Sequence, residues 1–119
     1  MDMSAASFAF SALSQPIRLD VFRLLVSAEP NGLAAGSIAD ALAVRQNTMS
    51  ANLAVLQRAG LITSERFGRS IIYRADMAAM SGLIGFMLQD CCGGKPELCA
   101  PALQSVINQT AASDTLCEC

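Results

Sequence analysis

SIADALAVRQNTMSANLAVLQR, residues 37–58, divides into two helical stretches around a three-residue break. Ser37 to Leu42 reads as a short helix, Ala43-Val44-Arg45 as a turn, and Gln46 to Arg58 as a second helix that stops at Gly60. In the second helix Met49, Leu53 and Leu56 recur at i, i+4 and i+7, the spacing of one face packed on a core. Its other face carries Gln46, Asn47, Thr48, Ser50 and Asn52. These short, uncharged donors and acceptors suit base edges in a major groove. They occupy the first half of the helix, where a recognition helix makes its base contacts.

Downstream, Leu61 to Phe67 and Ser70 to Arg74 read as two strands around the turn Gly68-Arg69, which makes a wing beside the helix pair. Residues 41–75 hold five arginines (45, 58, 66, 69 and 74) and one acid, Glu65, so this segment is +4 in a chain of net charge −2. On a solitary hairpin such arginines would be ordinary solvated side chains. Following a helix-turn-helix they concentrate positive charge where DNA phosphates would lie, with Arg66 and Arg69 on the wing itself.

A chain of 119 residues is one domain, and 53% hydrophobic content is ample for a core, with apolar surface left over for a dimer interface. The opening Met1-Asp2-Met3-Ser4 lacks the basic start of a signal peptide. The longest uncharged apolar run, Met77 to Gln89, is too short to cross a bilayer, so a cytoplasmic protein without a membrane partner is expected. All five cysteines fall within residues 91–119. In a reducing compartment that crowding points to metal or redox chemistry rather than a disulfide framework.

From the N-terminus, Ala5 to Leu13 forms a helix apolar on most sides, which a partner would cover. Ser14-Gln15-Pro16 then offers a Ser cap and a first-turn Pro to a helix from about Ile17 to Ala28, with Ile17, Val21, Leu24 and Leu25 inward. Glu29-Pro30-Asn31-Gly32 ends it. A last helix, about Asp76 to Cys91, carries Met77, Met80, Leu83, Ile84, Met87 and Leu88 at three- and four-residue spacing, with Gly82 and Gly85 allowing close approach of another helix. The expected fold is mainly α with a two-stranded wing, a winged helix-turn-helix of order α-α-α-α-β-β-α. It dimerises through its first and last helices. Residues 1–92 form the DNA-binding and dimerisation domain, and Gly93-Gly94-Lys95-Pro96 opens a cysteine-containing C-terminal segment, 93–119.

Four short patterns occur here in order. Ala12-Leu13-Ser14-Gln15-Pro16-Ile17-Arg18-Leu19 resembles the opening of the ArsR/SmtB family of metal-responsive winged-helix repressors, and Ser50-Ala51-Asn52-Leu53-Ala54-Val55-Leu56 resembles its recognition helix. Gly60-Leu61-Ile62 and Gly68-Arg69-Ser70-Ile71-Ile72-Tyr73 fit the family's strand entry and wing. The likeness covers roughly residues 8–92. It implies a homodimeric repressor that binds operator DNA and is released by a metal or metalloid.

Two departures matter. Asn52 stands where the family usually has His, so a DNA contact at that position would be made by an amide. The chain has no His, and Ala39 to Leu42 lacks the cysteines of the best-known arsenic sensors, so neither the usual zinc site nor the usual arsenic site is present.

The remaining candidate is Cys91-Cys92-Gly93-Gly94-Lys95-Pro96-Glu97-Leu98-Cys99. Neighbouring helical residues point about 100° apart, so Cys91 and Cys92 can share an ion only where the helix ends. Gly93, Gly94 and Pro96 permit a reversal that returns Cys99 toward the pair. Three thiolates without a nitrogen ligand suit the pyramidal shell of As(III) or Sb(III), whereas structural zinc would want a fourth ligand from Asp90, Glu97 or Cys117. By resemblance to the arsenic-responsive branch with cysteines after the last helix, Cys91, Cys92 and Cys99 are the binding residues. Cys117 and Cys119 read as a frayed accessory tail.

Two alternatives stand beside this. A repressor of the same fold could switch by disulfide formation. A thiol oxidoreductase or arsenate reductase could use adjacent cysteines, although such enzymes place the reactive thiol at a helix N-terminus and these follow a helix C-terminus.

Overall fold

The computed structural model describes residues 1–91 together with Pro101 and Ser105. Five helices and three short strands follow in the order α1 (Met3–Leu13), α2 (Pro16–Ser27), β1 (Leu33–Ala34), α3 (Ala35–Leu42), α4 (Gln46–Arg58), β2 (Ile62–Phe67), β3 (Ser70–Ala75) and α5 (Met77–Cys91). The architecture is the expected winged helix-turn-helix with one addition. The wing is three-stranded, in the order β1-β3-β2, because Leu33 and Ala34 pair antiparallel with Tyr73 and Ile72.

Helix α1 is capped by Asp2, whose carboxylate accepts from the Ala5 N–H at 2.7 Å. Its inward stripe is Ala6, Ala9 and Ala12, small residues that let α1 lie close to the core, while Met3, Phe8 and Phe10 remain exposed. Ser14 was expected to cap α2 and instead closes α1, donating its hydroxyl to the Ser11 carbonyl. The cap of α2 is Gln15, whose side-chain oxygen accepts from the Arg18 N–H at 3.1 Å, with Pro16 in the first turn. Helix α2 buries Val21, Phe22 and Leu25, and Ile17 and Leu24 are half-buried. Phe22 belongs to the inward face although the apolar spacing read for α2 passed over it.

Gly32 carries the chain from α2 into β1. Its φ is +75°, and a Cβ there would lie 2.5 Å from the Tyr73 carbonyl oxygen and 2.6 Å from Arg74 Cγ. No side chain fits between this turn and β3. Helix α3 buries Ile38 and Ala39 and ends at Ala43, whose φ of 54° puts a non-glycine residue in the left-handed region. That reversal brings α4 across the core, where Met49, Leu53 and Leu56 pack with Leu25, Ile38 and Leu61 in one cluster. The wing is pinned at its base, since Ile62 and Ala75 are buried cross-strand partners and the Asp76 N–H donates to the Leu61 carbonyl at 2.9 Å. Asp76 also caps α5 by accepting from the Ala79 N–H at 3.0 Å. No helix among the described residues is long and apolar enough to cross a membrane.

Candidate nucleic-acid interface

Packing of Met49, Leu53 and Leu56 turns the opposite side of α4 outward. Gln46, Asn47, Thr48 and Ser50 are all exposed, as expected, and are joined by Ala51, Ala54, Gln57 and Arg58. The cap residue, Arg45, makes no side-chain hydrogen bond to the helix, and the first turn holds no acid. The first-turn N–H groups and the positive end of the helix dipole therefore have neither a capping side chain nor an acid in the first turn, an arrangement suited to a DNA phosphate.

Asn52 corrects the expected face. It is only 8% exposed and lies on the inward stripe of α4 between Met49 and Leu56. Its Nδ2 donates to the Thr48 carbonyl at 2.9 Å, and its Oδ1 accepts from Arg18 Nη1 at 3.4 Å. The spacing held the signal. Positions 49, 52, 53 and 56 follow i, i+3, i+4, i+7, and the polar character of Asn alone had placed it outside. A buried amide with both ends hydrogen-bonded is a structural link between helices.

The wing stands beside α4 and is tied to it by Gln57, whose Nε2 donates to Ser64 Oγ at 2.9 Å. Arg66 and Arg69 are exposed, with Arg69 in the hairpin turn and Arg66 paired across the strands with Ile71. Arg74 is different. It donates from Nε and Nη2 to the Glu29 carboxylate at 3.2 and 2.8 Å, the only ion pair among the described residues. The hydrogen bond to Glu29, and then that carboxylate's charge, raise the pKa of its guanidinium above the ordinary value. Four of the five arginines, Arg45, Arg58, Arg66 and Arg69, are thus exposed and outside any ion pair among the described residues, and the fifth is neutralised within the fold.

A separate apolar groove of about 630 Å³ runs between α2 and α5, lined by Leu19, Leu24, Met80, Leu83 and Ile84 among others. No residue of α4, β2 or β3 lines it. Cys91 is the last residue of α5 as described, while Cys92, Cys99, Cys117 and Cys119 lie outside the described residues. Among the described residues no group of three cysteine or acidic side chains comes together as a metal site. The cysteine cluster thus has its support in the sequence.

A helix-turn-helix domain family model matches residues 13–65. YbzH of Bacillus subtilis, an HTH-type transcriptional regulator, is 32% identical over 90 residues, 66% of this chain and 90% of that protein. The repressor SmtB of Mycobacterium tuberculosis is 33% identical over 72 residues, 60% of this chain and 51% of SmtB. The chain belongs to the ArsR/SmtB family of transcriptional regulators. An ArsR-like regulator from Rhodococcus superposes with a TM-score of 0.66 at 25% identity, covering 87% of this chain and 92% of that one. A possible transcriptional regulator for arsenical resistance superposes at 0.56 with 27% identity, covering 65% and 77%. A homodimeric winged helix-turn-helix domain from Mycobacterium bovis shares the fold at 0.57 and 23% identity, covering 92% and 83%. For an ArsR/SmtB regulator the exposed face of α4 and the arginine-bearing wing are the surfaces to examine for DNA.

Proposed function

We propose that this ArsR/SmtB regulator is a homodimeric repressor. It binds an inverted-repeat operator through Gln46, Asn47, Thr48 and Ser50 of α4 and through Arg66 and Arg69 of the wing. As(III) or Sb(III), held by Cys91, Cys92 and Cys99, releases it. The observation that carries the DNA reading is the junction of an uncapped, acid-free α4 N-terminus with a polar exposed face and four arginines not engaged in ion pairs. Direct base readout needs those short polar groups, and phosphate contact needs those cations.

Dimerisation is supported by the apolar residues left outside the core. Met3, Phe8 and Phe10 on α1 and Met77, Ile84 and Met87 on α5 are exposed, and none of the described residues comes within 4 Å of where a Cβ on Gly85 would sit. A second copy covering these faces would set the two α4 helices about 34 Å apart, one turn of B-DNA. The inducer reading is supported by the donor set, three thiolates and no imidazole, and by the position of Cys91 on the helix that carries the apolar face. It agrees in kind with the description of one structurally similar protein as a possible regulator for arsenical resistance.

The test is selection of bound duplexes from a random pool, followed by fluorescence anisotropy of the reduced protein on the selected duplex under anaerobic conditions. Bound DNA is expected to carry two half-sites and to be released by As(III) or Sb(III). Release by a disulfide-forming oxidant, with no response to As(III), would favour a redox switch instead.

A further inference from the structure

Arg18 and Asn52 form a connection that neither the exposed α4 face nor the wing includes. Arg18 lies in the first turn of α2, half-buried. Its Nε donates to the Ala12 carbonyl at 2.6 Å and its Nη2 to the Ser11 carbonyl at 3.5 Å, both at the C-terminal end of α1. The Ser11 carbonyl also accepts from the Ser14 N–H at 3.3 Å and the Ser14 hydroxyl at 2.7 Å, and both carbonyls carry the negative end of the α1 dipole, so a cation there is favoured. The other arm of the same guanidinium, Nη1, reaches Asn52 Oδ1 in α4.

The chemistry leaves one orientation for the amide between them. A guanidinium can only donate and a peptide carbonyl can only accept. Asn52 must therefore turn its oxygen to Arg18 and its nitrogen to the Thr48 carbonyl, as observed. A continuous set of hydrogen bonds runs from the end of α1, through Arg18 and Asn52, to the first half of α4. No buried side-chain nitrogen or oxygen among the described residues is left unsatisfied. The two ends of this set differ in kind: α1 presents the exposed Phe8 and Phe10, and Thr48 belongs to the exposed polar face of α4.

We infer that Arg18 is a positioning residue for DNA recognition, which together with Asn52 fixes the rotation and axial placement of α4 against α1. The inference rests on the reading of α4 as the base-contacting helix. The planar fork is essential to it, because one rigid group spans two elements. A lysine at 18 would supply charge to the α1 carbonyls without also holding the amide. Base contacts depend on α4 lying at a set angle in the groove, whereas phosphate attraction tolerates small rotations. Loosening this joint should therefore reduce discrimination between duplexes more than it reduces attraction to DNA as such.

The experiment compares wild type, Arg18→Lys, Asn52→Ala and the double variant on a duplex selected by the wild type and on a random duplex, with urea unfolding measured in parallel. Arg18→Lys is expected to stay folded and to bind the selected duplex about 10-fold more weakly, with affinity for random DNA within about 2-fold of wild type. Asn52→Ala should behave alike, and the double variant should lose no more than the larger single loss, since either change opens the same joint. Equal losses on both duplexes, unchanged affinity for the selected one, or losses that multiply in the double variant would overturn the joint. A wild-type protein that selects no duplex would overturn the base-contacting role of α4 and this inference with it.

Discussion

Arg74 of β3 holds Glu29, two residues beyond α2, with two hydrogen bonds, which ties the wing's central strand to the turn between α2 and β1. The pair sits 45 residues apart in the chain and removes one cation from a segment whose charge otherwise favours DNA. Arg69, three residues from the strand pairing of Ile72 with Glu65, has no such partner among the described residues and lies exposed in the hairpin turn.

These two arginines should separate in a salt titration. Arg69→Ala is expected to weaken binding almost equally on every duplex and to reduce the slope of log K against log salt by about 0.9, the loss of one phosphate contact. Arg74→Ala should leave the slope unchanged within error, because its charge is already matched by Glu29. A reduced slope for Arg74→Ala would place that side chain on DNA and break the distinction.

Gly32 tests the close approach of the α2–β1 turn to β3. Alanine there would take a left-handed φ and drive its methyl into the Tyr73 carbonyl. The conformational penalty alone is about 1–2 kcal/mol, and displacement of β3 adds to it. Urea unfolding at fixed protein concentration should show a lower midpoint, with a stability loss of about 2 kcal/mol or more. An unchanged midpoint would mean that the turn relaxes away from β3 at little cost.

Ala43 offers the opposite change. It occupies the left-handed cap of α3 with a side chain where glycine is the usual occupant. Ala43→Gly removes the left-handed penalty and adds unfolded-state entropy, so a net gain of about 0.5–1 kcal/mol is expected. The midpoint of urea unfolding should rise at constant m-value, with operator affinity unaltered because α3 and α4 keep their crossing. A fall in stability would show that the alanine methyl packs more usefully than its backbone conformation costs.

The helices and the wing hairpin were legible in the chain because each leaves a local period or a turn residue. Met49, Leu53 and Leu56 mark α4 at helical spacing, and Gly68 marks the hairpin. Strand β1 left no such mark. Two residues have no period, and Leu33 and Ala34 become a strand only by pairing with Tyr73 and Ile72 some 40 residues on. The exposed polar positions 46, 47, 48 and 50 followed directly from the buried ones. Asn52 did not, because residue type and residue position pointed opposite ways and the position prevailed. Arg18 carried no local signal as a joint, since its amide partner lies 34 residues away and its carbonyl partners belong to the backbone.

The proposed cysteine site begins in sequence at Cys91, the last residue of α5, and the proposed switch follows from that. Drawing Cys91, Cys92 and Cys99 onto one As(III) ion would restrain the chain just beyond α5, the helix whose exposed Met77, Ile84 and Met87 would meet the second copy. A change in that packing would alter the spacing of the two α4 helices in the proposed dimer, and a coupling of about 1–3 kcal/mol, roughly 5- to 150-fold in affinity, would be enough to empty an operator held near its dissociation constant. Cys91→Ser, Cys92→Ser and Cys99→Ser are each expected to bind operator as wild type does and to lose release by As(III). A Cys117→Ser/Cys119→Ser double variant should retain both properties. Anisotropy of the reduced proteins with increasing As(III) makes the comparison: full release from the Cys99 variant, or none from the double variant, would put the inducer's ligands elsewhere in the chain.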